Sequence, residues 1–370
     1  MKELNDIIAA YDKAVFQNKQ VALATVVKVI GSSYRRPGAR MLVTEDGKIT
    51  GAISGGCLEG DALQKAQLAV FQQKNKLEIY DTTDEDNELG VQLGCNGIVY
   101  ILFEPIKNDA ENNPINLLKK VAQYRKASVL VTMFNENKWG LQPGTCCLVK
   151  EDESFCADDM QSLVDEGRNS LHQRISFVRN NANGSVLCQF VPPSMQLIVV
   201  GAGNDAQPLV NISSLLGWNS IVVDGRPAYA TQTRFPNAEK IFVSRPSEIL
   251  SAVTIDEHTA VILMTHNYNY DLSALQQLIH TNCNYIGVLG PKKKLHRMFD
   301  ELNKKAAGID PKTMQNIYGP VGLDIGAETA EEIALSIIAE IKAVFSKRSG
   351  KSLKERATEI HERSIISDHE

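Results

Sequence analysis

The chain has 370 residues, more than one ordinary domain holds, so two domains are expected. A net charge of −5 and a pI near 5.9 exclude the basic footprint of a nucleic-acid-binding protein. No apolar run reaches the ~18 residues of a membrane span, and MKELNDIIAAYDK lacks a signal-peptide core, so a cytoplasmic protein without membrane contact is the expectation. The seven cysteines are odd in number and scattered, with no C-x-x-C pair, which points to neither a zinc knuckle nor a secreted disulfide framework.

Leu4, Ile7, Ile8, Tyr11 and Val15 predict an amphipathic helix over 3–17. A β-branched strand over 21–30 runs into the loop 31–38, which carries Arg35 and Arg36, and segments 40–44 and 48–53 flank Glu45-Asp46-Gly47 as a hairpin. A helix follows over 62–73, then a strand over 76–82, an acidic loop over 84–88, a glycine turn around Cys95 and a strand over 99–104. A helix over 114–124 and strands over 128–134, 145–149 and 185–190 continue this half. The polar stretch 151–184 reads as a helix plus loops at the domain's edge. Pro192-Pro193 marks the boundary. The organisation is an α+β domain over 1–192, a Rossmann-like doubly wound parallel sheet over 193–346, and a charged tail over 347–370.

The second half opens on an apolar run that ends in Gly201-Ala202-Gly203, continues with helical spacing, and closes a second apolar run on Asp224. Gly201 suits the tight turn, Gly203 lets backbone approach a phosphate, and Ala206 lets helix pack on strand. Asp224 suits a ribose hydroxyl and Arg226 a phosphate, whereas Asp205 places a negative charge where a pyrophosphate would meet the helix N-terminus. Further strands are predicted over 240–243, 261–264 and 285–289, with helices at about 271–280 and 292–303 and an edge strand over 315–318. The ligand crevice then lies beyond the strands' carboxyl ends, where Gly201, Asp224, Arg226, His266 and Gly290 with Lys292–Lys294 fall. A glycine-rich loop, 317–326, precedes a long helix over 326–345. Its apolar face and that of the opening helix lead to the expectation of a homodimer.

In the first half, Gly55-Gly56-Cys57-x-Glu59 is the most informative stretch. Two glycines expose the cysteine, and the helix beginning after it favours a thiolate. Arg35, Arg36 and Arg40 are near in sequence and available to add positive charge. Cys95, in a glycine turn of its own, is a second candidate. The bland alternative is a small buried filler.

The segments GSSYRRPGARMLVTEDGKITGAISGGCLEGD, LGCNGIVYILFEP, VVGAG…VVDGR, VILMTHNYNYD, GVLGPKKK and GPVGLDIGAETAEEIALSIIAEI resemble the XdhC/CoxI family of accessory factors for xanthine dehydrogenase and related molybdenum hydroxylases. The resemblance covers about 10–105 and 195–345. It departs from the family pattern at Tyr34, at Asn96 and at Asn204. It implies a protein that binds molybdenum cofactor (molybdopterin), shields it while a cysteine desulfurase supplies sulfur, and delivers it to the apo-hydroxylase. Cys57 would contact the metal or its sulfido ligand, with Gly55, Gly56, Glu59, Arg35 and Cys95 around it. The cofactor holds its metal through its own dithiolene, so no protein metal-ligand spacing is required. The chain has no iron–sulfur cysteine spacing, so it does not read as a hydroxylase itself. The alternatives are an NAD(P)-dependent oxidoreductase on the Rossmann half and a sulfur-transfer or hydrolytic enzyme on Cys57.

Overall fold

The computed structural model describes residues 1–82, 97–108, 110, 112–137, 139–156, 160–181, 184–305 and 314–357. The acidic loop at 84–88 and Cys95 with its turn lie outside the described residues. The chain divides into two compact units, Glu3–Pro193 and a second that begins at Ser194.

The first unit is a sandwich of two five-stranded antiparallel sheets. Helix α1 (Lys2–Phe16) leads to β1 (Val21–Gly31), β2 (Arg40–Thr44), β3 (Ile49–Gly51), α2 (Glu59–Gln72), β4 (Lys76–Asp81) and β5 (Gly97–Pro105), with sheet order β3-β2-β1-β5-β4. The second sheet is built from β6 (Ser128–Phe134), β7 (Gly144–Val149), β8 (Ser154–Phe155), β9 (Phe177–Asn181) and β10 (Gly184–Val191), in the order β8-β7-β6-β10-β9. Helix α3 (Pro114–Gln123) precedes it, started by Asn113, whose side chain accepts from Asn116 N at 2.9 Å. Helix α4 (Gln161–Gln173) lies between β8 and β9.

The two-residue period of a strand sorts the side chains. On β1, Ala22, Ala24 and Val26 face α2, together with Met41, Val43, Ile101 and Phe103. Their neighbours Leu23, Val27 and Leu102 pack against Leu130, Phe134 and Leu187 of the other sheet. On that sheet's outer face, Val129, Val131, Val149 and Val186 are covered by Leu163 and Val164 of α4.

Two expectations need correction here. Segment 151–184 supplies both edge strands of the second sheet as well as a core-covering helix. Two residues of β8 and the polar Arg179-Asn180-Asn181 end of β9 carry too little apolar alternation to announce strands. Cys147 and Cys156 form a disulfide, a pair that neither spacing nor count announced.

The second unit is a six-stranded parallel sheet formed by β11 (Gln196–Val200), β12 (Asn219–Asp224), β13 (Lys240–Val243), β14 (Thr259–Leu263), β15 (Tyr285–Val288) and β16 (Ile317–Tyr318). Their order is β13-β12-β11-β14-β15-β16, the doubly wound Rossmann order. Strands β11, β12 and β14 are buried on both faces, as covered parallel strands must be. Helices α5 (Ala206–Leu215) and α9 (Ala330–Phe345) cover one face; the short α6 (Ile249–Ala252), α7 (Tyr268–Leu278) and α8 (Lys292–Lys305) cover the other. A capping box between Thr329 and Glu332 starts α9, four residues later than predicted.

Most of the apolar residues behind the homodimer expectation pack within their own units, with Val15 left exposed. Ile337, Ile338 and Ile341 of α9 pack with Leu209 and Val210 of α5, while Ile7 and Tyr11 of α1 pack with Ile115 and Leu118. No described helix is long and apolar enough to cross a membrane.

Candidate functional site

Cys57 sits in a turn made by its neighbours. Ser54 Oγ accepts from Gly56 N at 3.2 Å and from Leu58 N at 3.1 Å, while Glu59 accepts from Ser54 N at 2.8 Å and from Ser54 Oγ. Gly56 adopts φ +109°, a conformation that a side chain would strain. The result is an exposed thiol two residues ahead of α2, and it is the exposed free cysteine among the described residues. Burial pushes the Glu59 carboxyl up, but the bonds from Ser54 outweigh this and hold it below its ordinary range. Glu59 is thus ionised and committed to the turn. Its negative charge in the first turn of α2 is favourable.

The three arginines near Cys57 in sequence part company in space. Arg35 pairs with Glu3 of α1. Arg40 is only 5% exposed and points between the two sheets, so it is not a surface charge for the thiol. Its position on β2, one residue before Met41, puts it on the inner face; burial lowers its pKa to about 10 against the pull of Glu104 and Glu3. Arg36 is exposed, and no described residue takes its side chain. The Tyr34 ring lies over Gly55, where an added Cβ would come within 3.3 Å.

In the second unit the strand order reverses between β11 and β14, the point where a doubly wound sheet places its ligand crevice. Gly201 has φ +120°, and a Cβ there would stand 2.6 Å from Met264 O of the neighbouring strand. Asp224, 3% exposed at the end of β12, accepts from Ala202 N at 2.6 Å and Arg226 N at 2.8 Å. The Arg226 guanidinium then grips it with Nε at 2.9 Å and Nη2 at 2.8 Å. Burial works to raise the Asp224 pKa, yet these bonds hold it below the ordinary carboxylate range. Both carboxylate oxygens are therefore spoken for. As it stands, Asp224 braces the glycine turn instead of presenting itself to a ribose.

Asp205 is the N-cap residue of α5 but makes no cap bond. Its carboxylate lies over Gly203, on the face kept clear for phosphate in a dinucleotide turn, and bonds His266 Nε2 at 2.8 Å. His266 adopts a left-handed φ of +57° at the end of β14 and is 67% exposed. Beneath it, buried Asp271 accepts from Thr265 Oγ1 at 2.6 Å and from Lys294 Nζ at 2.7 Å, and Lys294 also donates to Leu289 O at 2.8 Å. Of the lysine run, then, Lys294 is structural, while Lys292 and Lys293 are exposed. Gly290, at φ +122°, opens this loop.

Two members of the crevice escaped the sequence reading. Arg234 Nη2 donates to Ala202 O at 3.1 Å and Asn204 Oδ1 at 3.0 Å, and the Tyr229 ring lies 4.1 Å from Arg226 Cζ and 5.1 Å from Arg234 Cζ. The only available signal was a cluster of arginine and aromatic residues after Asp224, in a segment without periodicity.

Comparison with known proteins bears on both units. Residues 197–341 match the XdhC Rossmann domain and residues 14–81 the XdhC and CoxI family. The chain is 32% identical over 331 residues to a probable xanthine dehydrogenase subunit of Bacillus subtilis, covering 89% of this chain and 94% of that protein. The chain belongs to the XdhC and CoxI family. A second relative is 24% identical, covering 90% of this chain and 86% of its own length: the molybdenum cofactor insertion chaperone PaoD of Escherichia coli. A crystal structure described as a xanthine dehydrogenase from Bacillus halodurans superposes with TM-score 0.73 at 29% identity, covering 94% of this chain and 98% of that one. The two family matches fall one in each unit: Cys57 lies within residues 14–81 and the glycine turn at Gly201 within 197–341.

Proposed function

We propose that this protein binds molybdenum cofactor as cargo, shields it while sulfur from a cysteine desulfurase is installed, and hands it to a xanthine dehydrogenase-type hydroxylase in the cytoplasm. The observation that carries the reading is the exposed Cys57 thiol in a turn held by Ser54 and Glu59. A thiol presented this way can meet a soft metal centre or its sulfido ligand without rearranging its support. The name and coverage of the insertion chaperone relative support the same reading.

An NAD(P)-dependent oxidoreductase is the weaker reading. It requires Asp224 to take a ribose diol and a pyrophosphate to settle beside Asp205, and both carboxylates are engaged against it. Equilibrium dialysis of molybdenum cofactor, NAD and NADP against purified protein tests the choice. Tighter binding of the cofactor than of either nucleotide is the expected result. Tight NAD binding without pterin binding would transfer the argument to the oxidoreductase.

A further inference from the structure

Between the two sheets of the first unit lies a polar cluster that neither the Cys57 turn nor the Rossmann crevice uses. Arg40 Nη1 donates to Gly38 O at 2.9 Å and to Gln189 Oε1 at 2.6 Å. The remaining donors, Nε and Nη2, form the side-on edge of the guanidinium and have no hydrogen-bond partner among the described residues. Thr25, the cross-strand partner of Arg40, has an equally unpartnered and buried Oγ1. Glu104, 2% exposed on the same inner face, accepts from Thr145 N at 2.6 Å and Thr145 Oγ1 at 2.9 Å.

A group that completes this cluster must accept from the Arg40 edge, and one that also donates can meet Thr25 Oγ1 or the Glu104 carboxylate. An anion is repelled by the carboxylate and a cation by the guanidinium. Water, neutral and with two donors and two acceptors, satisfies both sides. Buried charged groups of this kind add little stability over apolar packing, so their use is geometric.

The geometry leads outward to the thiol. Arg40 and Gln189 Nε2, the latter at 3.3 Å, both hold the Gly38 carbonyl, and Gly38 N donates to Val26 O at 2.7 Å. Gly38 closes the loop that carries Tyr34, whose ring packs on Gly55. We propose that Arg40 is a positioning residue for the Cys57 turn, acting through Gly38 and Tyr34, and that its side-on edge holds a buried water shared with Thr25 and Glu104. The proposal rests on the reading of Cys57 as the thiol that meets the cargo.

The test compares full-length wild type, Arg40→Lys, Arg40→Met and Thr25→Val. The readouts are the thermal midpoint, amide exchange of residues 32–38, and the rate of Cys57 alkylation by iodoacetamide, followed by peptide mass. Lysine can reach Gly38 but lacks the side-on edge. Arg40→Lys is therefore expected to keep the thermal midpoint near wild type, while exchange in 32–38 accelerates about tenfold and the alkylation rate changes with it. Thr25→Val should move both local readouts in the same direction by less. Should Arg40→Met fail to fold, the lysine and valine variants carry the test. Local exchange and alkylation identical to wild type in both would overturn the proposal, as would a crystal structure resolving ordered water in which the Arg40 edge contacts protein alone. If Cys57→Ser leaves client loading intact while the Arg40 variants still loosen 32–38, the role of Cys57 fails and the positioning by Arg40 stands.

Discussion

The two glycine turns of this protein make an instructive pair. Gly55-Gly56-Cys57 and Gly201-Ala202-Gly203 both lead a strand or hairpin into a helix, and in both a side chain takes a backbone N–H of the turn. They differ in what the chain has done with its charges. At the first, Glu59 and Ser54 turn inward to hold the turn, and the thiol is left exposed. At the second, the chain supplies its own anion: Asp205 covers Gly203 and is tied to His266, and Asp224 is tied to Arg226. One turn presents an exposed thiol; in the other, both carboxylates are engaged by the chain itself. A fingerprint that names the fold therefore need not name the ligand.

The largest effect should come from removing what the first turn presents. Cys57→Ser is expected to fold as wild type and to reduce productive loading of the client hydroxylase to the level seen without the protein. Client activity after reconstitution, beside an unchanged melting curve, is the measurement.

The second turn should instead answer in stability. Asp224→Ala leaves Ala202 N–H and Arg226 without their acceptor, and the loss is expected to be about 2 kcal/mol, discounted for the half-exposed guanidinium. The folded pKa of Asp224 is lowered, so its contribution is present above the ordinary carboxylate value of about 3.9 and is lost as pH falls through the lower folded value. The stability difference between wild type and Asp224→Asn, followed by denaturant titration, should shrink in acid. A constant difference across that window would remove Asp224 from its bracing role.

A smaller effect separates support from presentation at the first turn. Glu59→Ala removes the acceptor for Ser54 N and Oγ, and a cost of about 1 kcal/mol is expected, with a changed rate of Cys57 alkylation. Glu59→Gln, which keeps an acceptor, should fall between the two. An alkylation rate untouched by either variant would mean that the turn holds itself.

The smallest effect tests the self-supplied anion. Asp205→Asn should raise NAD affinity several-fold, about 1 kcal/mol, while leaving that of molybdenum cofactor less changed. Equilibrium dialysis would show it, and an unchanged or weakened NAD affinity would mean that Asp205 does not oppose the pyrophosphate.

What could be read from the amino-acid order was local in origin. Apolar runs ending in Gly201 and Asp224 state a parallel strand pair because side-chain burial and glycine sterics act over a few residues. The same holds for Cys57, since two glycines and a helix start lie within reach of it along the chain. What tertiary structure decided was the partner of each charge. Arg40 and Arg36 lie four residues apart, yet one is buried against Gln189 and the other faces solvent, because strand β2 sends its alternate side chains between the sheets. Asp205 meets His266 from 61 positions away, and Cys147 meets Cys156 across an edge strand too short to announce itself. Charges are long-ranged in sequence and short-ranged in space, so only the folded chain could say which carboxylates were free for a ligand and which were already taken.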